Sequence, residues 1–271
     1  MASLISRTNS NVTVLQNALT RMGIVPPKDT ASDPGALRAA CRDAFGKYYG
    51  RIYTVGPAKG SKHTASVVFC HGLGDTGQGW AQLMQGISPI VPGVKFILPT
   101  APTVHVTVNG GIEMPAWYDI TLPDGKGADD TAGMQHSAVY VRELLEAERL
   151  CGVPTVVAGF SQGAALALFT ALTQDPSAPL AGAIVLSGYL HSKSVMGGLS
   201  DVGKTVPILM CHGEADEVVR IRRAEDAIKE VQKMGRVESI VFKRYRGMGH
   251  SSSPEEERAF VYFLQEIIPT Q

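Results

Sequence analysis

The sequence predicts an α/β fold with a mostly parallel central sheet and helices on both faces. From Arg51 onward, short runs rich in Val and Ile alternate with longer segments of helical periodicity, the pattern of parallel strands joined by helices. Most of these runs are apolar throughout, as expected of strands buried on both faces. The length of 271 residues and the hydrophobic content of 44% are sufficient for one substantial core.

The predicted elements alternate along the chain. An edge strand is predicted at residues 51–55, and central strands at 67–70, 95–98, 155–158, 182–186, 207–211 and 239–243. Helices are predicted at 79–87, 132–150, 162–173, 222–234 and 254–268. The connection 99–130 contains several prolines and glycines and has only weak secondary-structure signals. Because long irregular connections are often functional, this one is predicted to form a wall or lid of the site.

The chain divides into two parts. Residues 1–48 are predicted to be a partly helical N-terminal extension, with helical patterns at 12–22 and 34–48. Residues 49–271 are predicted to form the α/β domain. The extension carries no recognisable chemistry, so the sequence assigns it no role.

Composition argues against several classes of function. Lys plus Arg and Asp plus Glu number 25 each, so no strong field attracts nucleic acid or an anionic membrane. No apolar run reaches the roughly 18 residues that span a bilayer, and the start lacks a signal-peptide core, which predicts a cytoplasmic protein. The 4 cysteines lack close paired spacing and are predicted to be reduced core thiols, so no disulfide framework or metal site is expected.

The strongest chemical signal is Gly-Phe-Ser-Gln-Gly at residues 159–163. It lies between a predicted strand and a predicted helix, where a serine must occupy a very tight turn, and small flanking residues give the backbone room to make it. Such a turn presents the Ser161 hydroxyl above the sheet as a nucleophile. The alternative is an ordinary turn that matches the pattern by chance, and the flanking strand and helix argue against it.

A serine nucleophile needs a histidine base that a carboxylate orients. His250 lies between the last predicted strand and the last predicted helix, where a loop can bring its imidazole to Ser161. His71 and His212 also end strands, but they are interpreted as scaffold residues because the expected chain order is serine, acid, histidine. The remaining histidines are predicted to lie on the surface or in loops: His63, His105, His136 and His191.

The acid is expected between the serine and the histidine in the chain, beyond the end of a strand. The segment Cys-His-Gly-Glu-Ala-Asp at residues 211–216 satisfies this condition. Asp216 is preferred over Glu214 and Glu217. The alternative is that any of these carboxylates is a solvated turn residue.

Hydrolysis also needs donors for the oxyanion that develops on the carbonyl oxygen. The backbone N–H of Gln162, directly after the serine, is one expected donor, and the glycine-rich loop 71–77 is expected to supply the other from Leu73. Such a loop could instead hold phosphate, but it matches neither the dinucleotide-binding pattern nor the lysine-containing P-loop.

Taken in order, these motifs resemble the acyl-protein thioesterase and lysophospholipase branch of the carboxylesterase families, from about residue 66 to residue 269. The segments that carry the resemblance are HGLGDTGQGW from His71, PTAP from Pro99, NGGIEMPAWYDI from Asn109, GFSQGAALAL from Gly159, LSGYL from Leu186, PILMCHGEADEVV from Pro207 and GMGHSS from Gly247. The resemblance implies an α/β-hydrolase fold whose catalytic domain is residues 49–271. By position, the family's triad is matched by Ser161, Asp216 and His250, and its oxyanion donors by Leu73 and Gln162.

The resemblance also implies a reaction and its substrates. The family hydrolyses fatty acyl thioesters and esters in the cytosol without a metal or other cofactor, so the implied substrates are S-acylated proteins and lysophospholipids. Its acyl chain lies in an apolar channel, and here Ile112, Met114, Trp117 and Tyr189 are predicted to line it, with core packing as the alternative for Trp117 and Tyr189. Transient membrane contact and a homodimer are left open.

The sequence departs from the family pattern at several positions. Ala164 and Tyr189 stand where Gly and Trp are usual, and Glu214 and Glu217 flank the acid where Asp and Pro are usual. These changes leave the acyl-chain preference open. The alternative functions are a general carboxylesterase acting on small soluble esters and a hydrolase-fold receptor without turnover.

Overall fold

The computed structural model describes residues 12–13, 15–25, 32–122, 130–191, 200, 205–235 and 240–268. Residues 12–13 and 15–21 are helical, and the helices described along their whole length are α1 (Pro34–Tyr48), α2 (Ala81–Ile87), α3 (Thr131–Arg149), α4 (Gln162–Leu172), α5 (Ile221–Lys233) and α6 (Pro254–Ile267). Its strands are β1 (Gly50–Val55), β2 (Ala65–Cys70), β3 (Val94–Thr100), β4 (Thr103–Val106), β5 (Ile112–Pro115), β6 (Thr155–Phe160), β7 (Gly182–Leu186), β8 (Ile208–Gly213) and β9 (Ile240–Tyr245). Short 3-10 turns lie at Gly77–Trp80 and Thr107–Asn109.

A seven-stranded sheet in the order β1-β3-β2-β6-β7-β8-β9 forms the centre of the molecule. Strand β1 is antiparallel to β3, and the other neighbouring pairs are parallel. The predicted α/β fold with a mostly parallel sheet is therefore confirmed. The predicted elements are present with ends that shift by no more than 2 residues, apart from Ser239, which lies outside the described residues.

The core consists of two layers, one on each face of the sheet. Along β2, Val68 and Cys70 pack into the layer beneath α1, α3, α4 and α5, whereas Val67 and Phe69 pack into the layer beneath α2 and α6. This alternation follows from the two-residue period of a strand, and it explains why the central strands are apolar throughout. In the described part of the chain, no helix combines the length and the apolarity needed to cross a membrane.

Helix α1 packs into the same core as the sheet, although it precedes the predicted domain boundary. Its Leu37, Cys41 and Phe45 are buried, and the Phe45 ring centre lies 5.2 Å from that of Tyr140 in α3. The aromatic edge contact adds to the burial of apolar area. We therefore propose that residues 34–48 belong to the same folding unit as the α/β domain.

Replacing Phe45 with alanine is expected to lower the free energy of unfolding by about 3–5 kcal/mol, because the truncation leaves a cavity in a closely packed core. Urea unfolding measures this loss. Tyr262→Ala on α6 is a suitable control: the side chain is 64% exposed, so a change of less than about 1 kcal/mol is expected. A detachable extension would instead leave the main unfolding transition of Phe45→Ala at the wild-type urea concentration.

The connection 99–130 contains a β-hairpin, which the sequence did not predict. Strands β4 and β5 pair antiparallel from Thr103 opposite Pro115 to Val106 opposite Ile112. Each strand is only 4 residues long and mostly exposed or half-buried, so its short alternation of polar and apolar residues is a weak signal of a strand. The described part of the connection therefore has regular structure; residues 123–129 lie outside the described residues.

Two smaller predictions were wrong. His136 is buried within α3 rather than on the surface or in a loop, and Cys151 is exposed whereas the other cysteines are buried. His136 is enclosed by aromatic rings, among them Phe45 at 6.0 Å between ring centres. Burial lowers the pKa of His136 to about 4, so this ring is a neutral core residue near pH 7.

Candidate active site

Ser161 lies on the sharp turn between β6 and α4. Its backbone has φ of +54° and ψ of −116°, a conformation that L-residues rarely adopt. A Cβ atom at Gly159 would lie 2.4 Å from the Gly163 carbonyl oxygen, and one at Gly163 would lie 2.2 Å from the Cys70 carbonyl oxygen. Only glycine fits at these two positions, which is the physical reason for the Gly-x-Ser-x-Gly pattern.

The loops that carry Asp216 and His250 follow neighbouring parallel strands, β8 and β9. A Cβ atom at Gly213, the last residue of β8, would lie 2.1 Å from the Met248 carbonyl oxygen, so the loop after β9 packs directly on the end of β8. The Ala215 N–H also donates to this carbonyl, at 3.0 Å. This packing places the His250 loop over the Asp216 loop.

A chain of hydrogen bonds links Ser161, His250 and Asp216. Ser161 Oγ lies 2.9 Å from His250 Nε2, and His250 Nδ1 lies 2.7 Å from Asp216 Oδ2. Because a carboxylate only accepts, Nδ1 carries the hydrogen and Nε2 is left to accept the hydroxyl proton. The buried carboxylate also accepts from the N–H groups of Val218 and Val219 at 2.9 and 2.8 Å. These bonds fix the carboxylate and, through it, the orientation of the imidazole.

The rival residues occupy other positions. Glu214 pairs with Arg244 at 3.1 Å, and Glu217 is exposed on the wall of the cavity beside the serine. His212 Nε2 donates to the Val219 carbonyl oxygen at 2.7 Å. Burial lowers the pKa of His212, an effect that the nearby charge of Arg223 reinforces, so the ring is neutral near pH 7 and stays a scaffold group.

His71 is a second scaffold histidine. Its Nε2 accepts from the Ala101 N–H at 3.0 Å, and its backbone carbonyl accepts from the Trp117 indole N–H at 2.8 Å. Burial lowers the pKa of His71. The Gln162 side chain ties the same region to the serine turn, because its Oε1 accepts from the Trp117 backbone N–H at 3.0 Å.

The two candidate oxyanion donors lie at the same cavity as Ser161. Gln162 is the first residue of α4, and the first N–H groups of a helix have no acceptor within it. Leu73 follows Gly72, where a Cβ atom would lie 3.5 Å from Ser161 Cβ, so this loop runs beside the serine. Leu73 and Gln162 both line the cavity.

Ser161 and His250 open into a cavity of about 680 Å³. Its apolar wall residues are Leu73, Trp80, Val108, Ile120, Leu122, Phe160, Leu190, Val218 and Val219. Its Asp, Glu and Arg wall residues are Asp75, Asp119, Glu217 and Arg223. A mostly apolar cavity with a few polar groups is typical of a small-molecule site, and this one can accept an acyl chain beside the nucleophile.

The predicted acyl-chain residues are only partly on this cavity. Tyr189 lines it, but Ile112, Met114 and Trp117 do not. Trp117 is 2% exposed and is held in the core by its bond to His71, which was the alternative considered for it. Ile112 and Met114 belong to the hairpin strand β5, and the Ile112 side chain is 63% exposed.

Other wall residues were missed in the sequence. Tyr118, next to Trp117, lines the cavity, and its hydroxyl lies 2.7 Å from that of Tyr189. The motif around Trp117 therefore pointed to the correct segment but to the wrong one of two adjacent aromatic residues. Arg223 had no sequence signal, because only the packing of α5 against the sheet brings it to the cavity.

A serine activated by histidine on a strand-to-helix turn, at the carboxyl edge of a parallel sheet, defines the class of serine hydrolases with an α/β-hydrolase fold. The chain matches the phospholipase/carboxylesterase family over residues 54–268 and belongs to that family. The resemblance inferred from the motifs and the predicted serine hydrolase class are thus confirmed.

Several named proteins that are similar to this chain are acyl-protein thioesterases. Acyl-protein thioesterase 1 of Neurospora crassa is 40% identical over 222 residues, which cover 77% of this chain and 89% of that protein. The acyl-protein thioesterase 1 homolog 1 of Dictyostelium discoideum is 39% identical over 76% of this chain and 92% of that protein. The crystal structure of Zea mays acyl-protein thioesterase 2 superposes with a TM-score of 0.72 at 33% identity, covering 82% of this chain and all of that one.

Proposed function

We propose that this chain hydrolyses fatty acyl thioesters, including acyl groups on protein cysteines, and also acyl esters such as lysophospholipids. The observation that carries the proposal is the hydrogen-bonded chain from Ser161 through His250 to Asp216 beside a cavity with apolar walls. The likeness to acyl-protein thioesterases supports the thioester as the preferred bond. In this proposal Ser161 is the nucleophile, His250 the base and Asp216 the orienting acid.

The first half of the proposed reaction acylates Ser161. His250 Nε2 takes the hydroxyl proton as Oγ attacks the acyl carbonyl carbon, and Asp216 stabilises the resulting imidazolium. The carbonyl oxygen becomes an oxyanion that the N–H groups of Leu73 and Gln162 stabilise as its charge develops. The intermediate then collapses, the bond to the thiol sulfur or alcohol oxygen breaks, and the leaving group takes the proton from His250.

The second half releases the fatty acid. His250 removes a proton from water, whose oxygen attacks the acyl ester on Ser161. Oγ leaves as the new carboxyl group forms, and it regains its proton from His250. All proton transfers pass through His250, so the proposed cycle uses no cofactor.

The proposal predicts how kcat/KM depends on the acyl chain. In matched series of thioesters and oxygen esters with about 2–16 carbons, kcat/KM is expected to rise up to about eight carbons or more. Each methylene buried against the apolar wall contributes about 0.8 kcal/mol, or up to roughly fourfold in kcat/KM. Thioesters are expected to exceed oxygen esters of equal length, with Ser161→Ala enzyme as the blank.

Other outcomes of the same experiment identify the rival functions. A maximum at about two to four carbons would indicate a general carboxylesterase for small soluble esters. Absence of turnover on every substrate, together with failure of a fluorophosphonate probe to label Ser161, would indicate a receptor that binds a ligand without hydrolysing it.

A further inference from the structure

One charged group on the cavity wall has no part in the proposed reaction: the guanidinium of Arg223. Arg223 is half-buried near the start of α5 and lines the cavity together with Ser161 and His250. Its guanidinium carbon lies 3.7 Å from the centre of the Tyr189 ring. Stacking on the ring occupies one face of the guanidinium and leaves its N–H groups, which lie in the plane, available as donors.

The ring that supports Arg223 is itself fixed. Tyr189 is buried, and its hydroxyl lies 2.7 Å from the hydroxyl of the buried Tyr118. The Arg223 backbone is also anchored, because its N–H donates to the Arg220 carbonyl oxygen at 2.8 Å. The guanidinium is thus held against the cavity wall, where part of its hydration is lost.

Arg223 forms no ion pair in the described part of the chain, and its guanidinium donates no hydrogen bond there. The adjacent Arg222 differs: its side chain is 86% exposed and lies 4.0 Å from Asp226 on the outer surface of α5. A partly desolvated cation without an anionic partner is unfavourable. An oxyanion that enters the cavity would therefore gain a charge-assisted contact at Arg223, whose fork of N–H groups matches two oxygens of a carboxylate or phosphate.

The carboxylates on the same wall do not supply that contact. Asp75 accepts from the Trp80 indole N–H at 3.0 Å, and Asp119 accepts from the backbone N–H and the hydroxyl of Thr107 at 2.8 and 2.6 Å. Glu217 is exposed and, like Arg223, forms no ion pair among the described residues. Asp75 and Asp119 are stabilised by these hydrogen bonds, and Glu217 is hydrated. None of the three pairs with Arg223, so its guanidinium is available to bind an anionic group of the substrate.

We propose that Arg223 is a specificity-determining residue that binds a carboxylate or phosphate carried by the substrate away from the reacting bond, on the part of the molecule that lies against this wall of the cavity. The inference rests on the proposed hydrolysis at Ser161, since the oxyanion must belong to the acylated molecule that the serine attacks. Because this contact is remote from the reacting bond, it binds substrate and transition state alike and lowers KM more than it changes kcat.

The test uses two matched pairs of substrates. In the first pair, 4-nitrophenyl octanoate is compared with the 4-nitrophenyl monoester of octanedioic acid, so the charge is on the acyl group. In the second pair, 1-octanoylglycerol is compared with 1-octanoylglycerol 3-phosphate, so the charge is on the leaving group. The quantity measured is the ratio of kcat/KM for the anionic member to that for the neutral member.

In at least one pair, Arg223→Gln is expected to lower this ratio by about tenfold, mainly through KM. The pair that responds identifies whether the oxyanion belongs to the acyl group or to the leaving group. Arg223→Lys, which keeps the charge without the planar fork, is expected to recover part of the ratio. Arg222→Gln is the matched control and is expected to leave both ratios unchanged.

The outcomes separate this inference from the proposed function. If wild-type enzyme hydrolyses the neutral esters and Arg223→Gln changes neither ratio by more than about twofold, Arg223 selects no anion and only packs on Tyr189. If wild-type enzyme hydrolyses none of the substrates, the hydrolase reaction itself is contradicted and the inference falls with it.

Discussion

Replacing Ser161 with alanine is expected to lower kcat for acyl thioesters and esters by at least about 10⁴-fold. The substitution removes Ser161 Oγ, which lies 2.9 Å from His250 Nε2. Without this oxygen no acyl-enzyme can form. Steady-state hydrolysis of an octanoyl thioester measures the loss. Burst-phase release of the thiol, which reports acylation, is expected to disappear as well.

Ser187 provides a matched control for this substitution. It follows β7 with a φ of +49°, so its φ is positive like that of Ser161, and its buried hydroxyl has no hydrogen-bond partner among the described residues. Ser187→Ala is expected to keep kcat within about threefold of wild type. Retention of most of the esterase rate by Ser161→Ala would contradict the proposed nucleophile.

Replacing Asp216 with asparagine is expected to lower kcat by about 10³- to 10⁴-fold. The N–H groups of Val218 and Val219 both point at Oδ1, so the amide oxygen takes that position and the amide NH₂ faces His250 Nδ1. Nδ1 must then accept, and the ring hydrogen moves to Nε2. In this tautomer His250 cannot take the Ser161 proton.

The measurement is kcat at constant pH, together with a thermal unfolding curve to show that the variant is folded. Glu214→Gln is the matched control, because Glu214 is the rival carboxylate on the same loop and pairs with Arg244 near the surface. It is expected to retain kcat within about twofold. A large loss in Glu214→Gln with little loss in Asp216→Asn would assign the acid to Glu214 instead.

The parts of the site that sequence motifs located are those set by local backbone geometry. The Gly159 and Gly163 positions cannot hold a side chain, so the serine turn leaves an unambiguous pattern over a few residues. Asp216 and His250 were located because each follows a short apolar strand, and neighbouring parallel strands carry their loops to the same edge of the sheet.

The walls of the cavity were less predictable. The motif around Trp117 indicated the right segment, yet the bond from Trp117 to His71 turns that side chain into the core and leaves Tyr118 at the cavity. The hairpin that carries Ile112 has strands of only 4 residues each, so its register could not be inferred. Helix α1 was predicted to lie outside the domain. Its few buried residues pack against α3, and the sequence alone does not reveal this contact.

By itself, the sequence determined the α/β fold, the order of its elements, the family and the three residues proposed to carry the reaction, because each of these depends on periodicity or on a short segment of backbone. The tertiary structure decided which side chains face the cavity, including Arg223 on Tyr189. These facts depend on how helices and loops pack over the sheet. Packing is set by contacts between residues far apart in the chain, and such contacts leave no periodic signal in a single sequence.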